Sequence, residues 1–307
     1  MKKCVVIVNP KSGKGFVKKN LSQIEQIITN YGYKVRIILT KYPQHATKII
    51  KKLEDDIDLV ISVGGDGTFS EVMNGNILRK KPLVLSHLPV GTTNDIGYMY
   101  GLGNNTLENL KLILEGSIKK IDVGLINNHA FTYVASFGKF MDIPYKTPQQ
   151  LKRRLGYLAY VFEVLKRIFD HIPTYEIEYV LDGKKHHGKY TFIIISNANR
   201  IAGINNFYED VKLDDNYFEV MLCSLTRKRD ILKAIYTLKT SKISNVSGIE
   251  IYKAHEMKIV FKDKNKPWCV DGEEFLDNKN EYFIGLKYDL KMLIPKKNIR
   301  RLFLKFN

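Results

Sequence analysis

Apolar residues along the first 125 or so positions recur with two periods in turn. CVVIVNP is an apolar run of strand length, and from Phe16 to Tyr31 the positions Val17, Leu21, Ile24, Ile27 and Ile28 fall at helical spacing. The alternation repeats with KVRIILT as strand, His45 to Leu53 as helix, DLVISVGG as strand, Thr68 to Leu78 as helix and PLVLSHLPVGT as strand. Asn94 to Tyr100 and Leu107 to Glu115 read as helices, and KKIDVGLI as a further strand. Strand–helix alternation with short loops predicts a doubly wound parallel sheet covered on both faces. Sheets of that kind bind ligands at the carboxyl ends of their strands.

After about Ile126 the pattern changes. AFTYVAS, TYEIEYVL, KYTFIIIS, YFEVMLCSL, GIEIYKA, HEMKIVFK, PWCVDGE and EYFIGLKYDLKMLIP are strand-like, many alternating and rich in β-branched and aromatic residues. Asp182-Gly183 between two of them is a hairpin signal. The fold class expected is therefore α/β plus β. A nucleotide-binding α/β domain covers residues 1–125, with the tail from about 290 to 307 free to pack back on it. An antiparallel β-sandwich domain covers 126–289 and carries two helical segments, Gln149 to His171 and Lys228 to Thr240.

Composition narrows the function. The apolar runs are strand-sized, so no segment is expected to cross a bilayer as a helix. The N-terminal apolar stretch is four residues long and runs into Asn-Pro-Lys, so it is not expected to act as a signal peptide. Cys4, Cys223 and Cys269 are far apart and odd in number, which excludes a disulfide framework or a cysteine metal cluster and fits a reducing cytoplasm. A formal net charge of +17 favours anionic partners: nucleic acid, an anionic membrane face or phosphorylated substrates. No RNP-type strand, zinc-finger spacing or basic zipper occurs, so no nucleic acid is expected.

The chemistry gathers at one sheet edge. NPKSGKG follows CVVIV, Thr40 follows KVRIIL, GGDGT follows DLVISV, and PVGTTND follows LVLSHL. Glycine lets backbone N–H groups point at phosphate oxygens, Ser12, Thr40, Thr68 and Thr92 can donate hydroxyls, and Lys11 or Lys14 can supply charge. No G-x-x-x-x-G-K-[ST] occurs, and no G-x-G-x-x-G follows the first strand. Together the four strand ends predict a nucleotide-phosphate site.

NPKSGKG, GGDGTFSEVMNG and PVGTTND, at these intervals, resemble the catalytic domain shared by diacylglycerol, sphingosine and ceramide kinases. KTPQQLKRRLGYLAY, NANRIAG, VKLDDNYFEVML and WCVDGEEF extend the resemblance, over nearly the whole chain, to the soluble diacylglycerol kinases of Gram-positive bacteria. The resemblance implies ATP over Asn9, Pro10, Lys11, Ser12 and Gly13, over Thr40, over Gly65, Asp66, Gly67, Thr68 and Glu71, and over Thr92. It implies that Asp66, Asp95 and Asp122 organise Mg²⁺ and the transferring phosphoryl group. Asp271 and Glu273 should line a cleft from the second domain, one of them as base for the lipid hydroxyl. A structural Mg²⁺ is implied on the Asp215 carboxylate and the carbonyls of Lys212 and Tyr217. If the VDGE run stays extended, Asp271 and Glu273 point to one face, although Gly272 can bend it.

The sequence departs from the family at Tyr98, where an arginine is common, at Ile204, where a second glycine is expected after Gly203, at Glu209, where a proline is expected, and at Asn216, which stands for glycine in Asp-Asp-Gly. Asn216 is expected to take the left-handed conformation that glycine would.

One apolar stripe, Leu151, Leu155, Leu158, Phe162, Leu165 and Phe169, is flanked by Lys152, Arg153, Arg154, Lys166 and Arg167. It is expected to pack on the β domain or on the partner in a homodimer, with the basic residues resting on anionic lipid as the other option. The function expected is an ATP-dependent lipid kinase acting on the primary hydroxyl of diacylglycerol, cytoplasmic and peripheral to the inner membrane face. The alternatives are a kinase of another lipid or sphingoid alcohol, an NAD kinase-like enzyme (GGDGT is shared), and a non-catalytic binder of anionic lipid or nucleic acid.

Overall fold

The computed structural model describes residues 1–155, 157–201, 204–205, 207–208, 210–240, 243–262, 267–277 and 279–304. Gly203 and Glu209 lie outside the described residues. The chain divides into two compact units, Met1–Asp122 with Leu213–Asp215 and Lys287–Asn307, and Val123–Lys212 with Asn216–Leu286.

In the first unit four strands, β1 (Lys2–Val8), β2 (Tyr33–Leu39), β3 (Leu59–Gly64) and β4 (Leu85–Pro89), run parallel in the order β2-β1-β3-β4. Every residue of β3 is buried, as a strand covered on both faces must be. Five helices alternate with these strands: α1 (Phe16–Asn30), α2 (His45–Lys51), α3 (Asp66–Ile77), α4 (Asp95–Met99) and α5 (Thr106–Leu114). α1 buries Val17, Ile24 and Ile28, and α5 buries Leu110 and Ile113, in one core with β1, β3 and β4. α2 and α3 touch through their backbones: a Cβ on Gly75 would lie 2.6 Å from the Thr47 carbonyl and closer still to Ile50 Cγ2. β5 (Ser117–Ile126) begins in this unit, and its last four residues belong to the second.

The second unit adds β6 (His129–Phe131), β7 (Val134–Gly138), α6 (Ile143–Lys146), α7 (Gln149–Leu155), α8 (Tyr157–Arg167), β8 (Tyr175–Leu181), β9 (Lys184–Tyr190) and β10 (Phe192–Ser196). It continues with β11 (Arg200–Ile201), β12 (Ile204–Asn205), β13 (Phe218–Cys223), α9 (Lys228–Thr240), β14 (Ile249–Ala254), β15 (Met257–Phe261), β16 (Trp268–Val270) and β17 (Glu273–Phe275). The long strand β18 (Glu281–Ile294) starts here and ends in the first unit, where Met292 pairs with Leu85 and the short helix α10 (Ile299–Leu302) follows. One antiparallel sheet has the order β14-β13-β10-β7-β16-β17, and β15 pairs with β8 and with the first part of β18. Phe137, Ile195 and Val220 from the first set and Ile177, Tyr179, Ile259 and Tyr282 from the second fill one core with Trp268, which makes the unit a sandwich.

Three expectations change. AFTYVAS and KYTFIIIS are each two strands: β6 and β7 part at Thr132–Tyr133, and β9 and β10 at Thr191. β9, KKHHGKY, is polar because it pairs only with β8 at the end of the strand order; lysines on such an edge discourage further pairing. The helix expected over 149–171 is α7 and α8, preceded by α6. Its apolar stripe does not pack on the β strands: Leu158 is 60% and Phe169 73% exposed, and Leu155, Phe162 and Leu165 are exposed too. The buried face of α8 instead carries Ala159, with Ile168 just beyond the helix, and Tyr160 and Val164 are half-buried in a cluster with Ile143, Ile231 and Ala234.

One titratable group lies inside the first core. His87, on β4 beside Ser62 in register and 4.9 Å from the Phe69 ring, is buried, and burial pushes its pKa down to about 3. The unfolded chain protonates this histidine near pH ~6.5 and the folded one does not, so stability is complete above that pH and falls as the pH drops. The slope is about 1.4 kcal/mol per pH unit. Urea unfolding at pH ~7 and pH ~5 should show a drop in the wild type exceeding that of His87→Leu by about 1.5–2 kcal/mol. Equal drops would mean that His87 titrates alike in both states.

Candidate active site

The register of the parallel strands sets four loop starts side by side. Val8 pairs with Leu39 and with Val63, and Gly64 pairs with Pro89, so Asn9, Thr40, Gly65 and Val90 begin their loops at one edge. The first loop is a tight turn: the Ser12 N–H donates to the Asn9 carbonyl (3.1 Å), with Pro10 at its second position, and the Lys11 N–H donates to Asn9 Oδ1 (3.0 Å). Asn9 Nδ2 then donates to Thr68 Oγ1 (3.2 Å), which ties this loop to α3. The Thr40 N–H donates to the Val8 carbonyl (2.8 Å). Lys11 and Thr92 are exposed, and the side chain of Lys14 is outside those described.

Glycine is required where loops meet. A Cβ on Gly64 would lie 2.5 Å from the Thr68 side chain, and one on Gly91 would lie 2.7 Å from Gly65 Cα. Gly13 has φ +69, and a Cβ there would press on Val90 at 3.3 Å. α3 begins at Asp66, two residues earlier than expected, because β3 ends at Gly64 and Gly65 serves directly as N-cap. Neither Gly65 nor Gly15, the N-cap of α1, supplies a side-chain cap. Two helices therefore open after the strand-end loops without a side-chain cap, and the one acid in their first turns, Asp66, is turned to the start of α4, a setting that fits phosphate. Gly67 lies in the first turn of α3. In PVGTTND the buried Asn94 Oδ1 has no hydrogen-bond partner among the described residues, an acceptor that fits a ligand hydroxyl or a water.

The two acids of GGDGTFSE each meet another helix. Asp66 Oδ2 accepts from the Asp95 N–H (3.0 Å) and Oδ1 from the Ile96 N–H (3.3 Å), the start of α4. Glu71 Oε1 accepts from the Gln44 N–H (2.8 Å) and Oε2 from the Ala46 N–H (3.1 Å), the start of α2. Asp66 and Asp95 are thus brought together. Asp122 is buried on β5, with its N–H donating to the Leu213 carbonyl (2.7 Å). Among the described residues no group of three or more His, Cys, Asp or Glu side chains is placed to hold a metal. Mg²⁺ needs only one or two carboxylates beside phosphate and water, so a site for it does not require a larger cluster of acids. Tyr98, on α4, donates its hydroxyl to Asn104 Oδ1.

The VDGE run does not stay extended. Asp271 (φ 49) and Gly272 (φ 84) form a two-residue turn, with Val270 pairing Glu273 across it. Asp271 and Glu273 are therefore not on one strand face. The buried Asp271 carboxylate accepts from the Thr132 N–H (2.7 Å) and hydroxyl (2.8 Å) on Oδ2, and from the Tyr133 (3.1 Å) and Val134 (3.2 Å) N–H groups on Oδ1. Burial pushes its pKa up from the ordinary carboxylate value, and these donors offset part of the rise. Glu273 stands exposed at the start of β17.

Of the residues expected at a structural metal, Lys212 and Tyr217 belong to the second unit and Asp215 to the first. Asn216 adopts φ 64, as expected of a residue replacing glycine. Its carbonyl bonds His255 Nδ1 (2.9 Å), and the Tyr217 ring packs 3.9 Å from the His255 ring. Asp214 Oδ1 accepts from the Leu304 N–H (2.7 Å). Sequence reasoning did not single out Gly91, Asn94 or Gln44. The signal for Gly91 was present, a glycine in PVGTTND near a strand's carboxyl end; Gln44 becomes visible only through its partner Glu71.

Residues 3–126 match the diacylglycerol kinase catalytic domain family. A diacylglycerol kinase of Bacillus subtilis (strain 168) is 29% identical over 304 residues, which cover 98% of this chain and 99% of that protein. One of Staphylococcus aureus (strain JH9) is 32% identical over 225 residues, covering 72% of this chain and 70% of the relative. A crystal structure of a diacylglycerol kinase from Bacillus anthracis str. Sterne is similar with a TM-score of 0.75 at 26% identity, covering 95% of this chain and 97% of its own.

Asp271→Asn should destabilise the fold by about 2 kcal/mol or more, because the amide nitrogen would face N–H donors and leave them unpaired. Denaturant unfolding checks it. An unchanged midpoint would show that the four bonds carry little of the hairpin's stability.

Proposed function

The chain belongs to the diacylglycerol kinase family, and from that premise we propose that it transfers the γ-phosphoryl group of ATP to the primary hydroxyl of diacylglycerol. The observation that carries the reading is the edge where Gly65 meets Gly91, with α3 opening there uncapped and Asp66 joining GGDGT to GTTND. Phosphoryl transfer depends on positioning and charge stabilisation more than on covalent help. Asn9 to Gly13, Thr40, Gly65 to Thr68 and Thr92 line the phosphates, with the hydroxyls of Ser12, Thr40 and Thr92 and the first N–H groups of α3 as the donors. Asp66 and Asp95 are the acids assigned to Mg²⁺, which would supply charge neutralisation when bound with the nucleotide, and Asp122 is assigned to organising the transferring phosphoryl group. Asp271 is not assigned as the base, because its oxygens are occupied by the donors of Thr132 to Val134; the exposed Glu273 is the base for the acceptor hydroxyl.

The lipid has to be met at a membrane. α7 and α8 expose Leu155, Leu158, Phe162 and Leu165, with Phe169 just beyond, and α9 exposes Leu232 and Tyr236. Cations sit on this apolar stripe: Lys166 Nζ lies 4.7 Å from the Phe162 ring centre, and Lys228 Nζ lies 5.3 Å from that of Phe169. Apolar side chains ringed by lysine, in a chain of net charge +17, fit an anionic membrane better than a second copy carrying the same charge. The reading places the protein in the cytoplasm at the inner membrane face, in keeping with three buried free thiols.

Transfer of radiolabelled phosphate from ATP to diacylglycerol, ceramide and sphingosine in mixed micelles, and to NAD in solution, tests the reading. Label should enter diacylglycerol; label in NAD alone would replace the lipid with a soluble substrate. Glu273→Gln should lower kcat by about a hundredfold or more with ATP affinity nearly unchanged. Near-normal lipid turnover in that variant would put the base elsewhere. Leu158→Ser with Phe162→Ser should lower co-sedimentation with phosphatidylglycerol vesicles several-fold. Unchanged sedimentation, with a dimer turned monomer, would assign the stripe to a homodimer instead.

A further inference from the structure

We propose that Asn298 is a positioning residue for Asp95, acting by closing the far end of α4. The proposal rests on the kinase reading of the strand-end edge. α4 has five residues, too few to hold its shape alone in water, and its last carbonyls need partners from beyond the helix. The chain that follows supplies three: the Tyr100 N–H donates to the Ile96 carbonyl (3.2 Å), the Leu102 N–H to that of Gly97 (3.0 Å) and the Gly101 N–H to that of Tyr98 (3.0 Å). The Met99 carbonyl is met from 199 positions away, by Asn298 Nδ2 at 2.9 Å, and Arg301 Nη2 lies 3.5 Å from it. A guanidinium at a helix C-terminus also suits the helix dipole.

The Asn298 amide is seated on the turn that ends the helix. Gly101 takes φ +83, and a Cβ there would lie 3.0 Å from Asn298 Nδ2 and 3.2 Å from its Cγ. The segment that carries Asn298 is fixed by other groups. Ile299, Leu302 and Phe303 are buried, the Leu213 N–H donates to the Leu302 carbonyl (2.8 Å), and the Leu304 N–H donates to Asp214 Oδ1 (2.7 Å). Asn298 therefore ties the C-terminal end of α4 to a buried anchor, while Asp66 holds the other end through the Asp95 and Ile96 N–H groups. A helix this short, clamped at both ends, gives the buried Asp95 carboxylate one place; released at one end, it frays toward the other. That carboxylate is one of the two acids assigned to Mg²⁺.

The test uses the full chain with Asn298→Ala and Asn298→Asp, each checked by urea unfolding to be folded under assay conditions. Amide hydrogen exchange at Asp95 and Ile96 is read by NMR in the metal-free protein. The free Mg²⁺ concentration at half-maximal rate is read with diacylglycerol micelles at saturating ATP. Asn298→Ala should exchange these two amides about tenfold faster or more, and raise that Mg²⁺ concentration about fivefold or more. Asn298→Asp keeps the size and loses the donor, so it should fall at least as far. Unchanged exchange in both variants would overturn the proposal, by showing that the far end of α4 does not govern its start. Faster exchange with an unchanged Mg²⁺ requirement would overturn it too, and leave Asn298 a cap for stability alone. Wild-type behaviour of Asn298→Asp would overturn it by assigning the effect to shape instead of the hydrogen bond. A wild-type chain that transfers no phosphate would sink the kinase reading and this proposal together, and the wild-type assay alone identifies that case.

Discussion

The first N–H groups of α2 and α4 have no partners within their own helices, and neither helix caps itself. Their N-cap residues, Gln44 and Asn94, both sit in the left-handed region, at φ 64 and φ 50, without a side-chain cap. α3 supplies what they lack: Asp66 takes two N–H groups of α4, and Glu71, five residues on, takes two from the start of α2. Helices of seven and five residues would not hold alone in water. The loops that follow β2 and β4 thus take their shape from one helix, and that helix opens at the carboxyl end of β3. The phosphate edge is the outcome of this arrangement, with glycines at 64, 65 and 91 letting the pieces approach.

The same physics explains what could be read from the sequence. The apolar periods gave β1 to β3 and α1 with their ends nearly right, because each is set by local pattern and burial, while β4 (Leu85–Pro89) is three residues shorter at each end than the run PLVLSHLPVGT. They could not give the partners of Asp66 and Glu71, which lie 25 to 30 positions away along the chain. α3 began at Asp66 instead of Thr68 because the glycine that looked like loop is its N-cap. β9 was missed because an edge strand rich in lysine and histidine has no apolar period to find.

The second unit shows how little a dipeptide says about chemistry. Asp182-Gly183 and Asp271-Gly272 both form two-residue turns with both residues at positive φ. In each, the aspartate accepts backbone N–H groups from a neighbouring segment: His255 and Glu256 for Asp182, Thr132 to Val134 for Asp271. Both carboxylates tie their turns to a neighbouring segment, and the exposed Glu273 after the second is what differs. The apolar stripe over α7 and α8 misled for a related reason. α8 is apolar on two faces, and periodicity alone does not tell which of them is buried.

On the proposed function, Asp66 both builds the edge and serves the phosphoryl transfer that occurs there. The most direct test is the initial rate of phosphate transfer from ATP to diacylglycerol in mixed micelles by Asp66→Asn beside the wild type. Near-isosteric asparagine keeps one acceptor oxygen for the start of α4 and loses the charge. The expected rate is lower by more than about a hundredfold (~2.7 kcal/mol) with the protein still folded. A folded variant within about tenfold of the wild type would contradict that dual role.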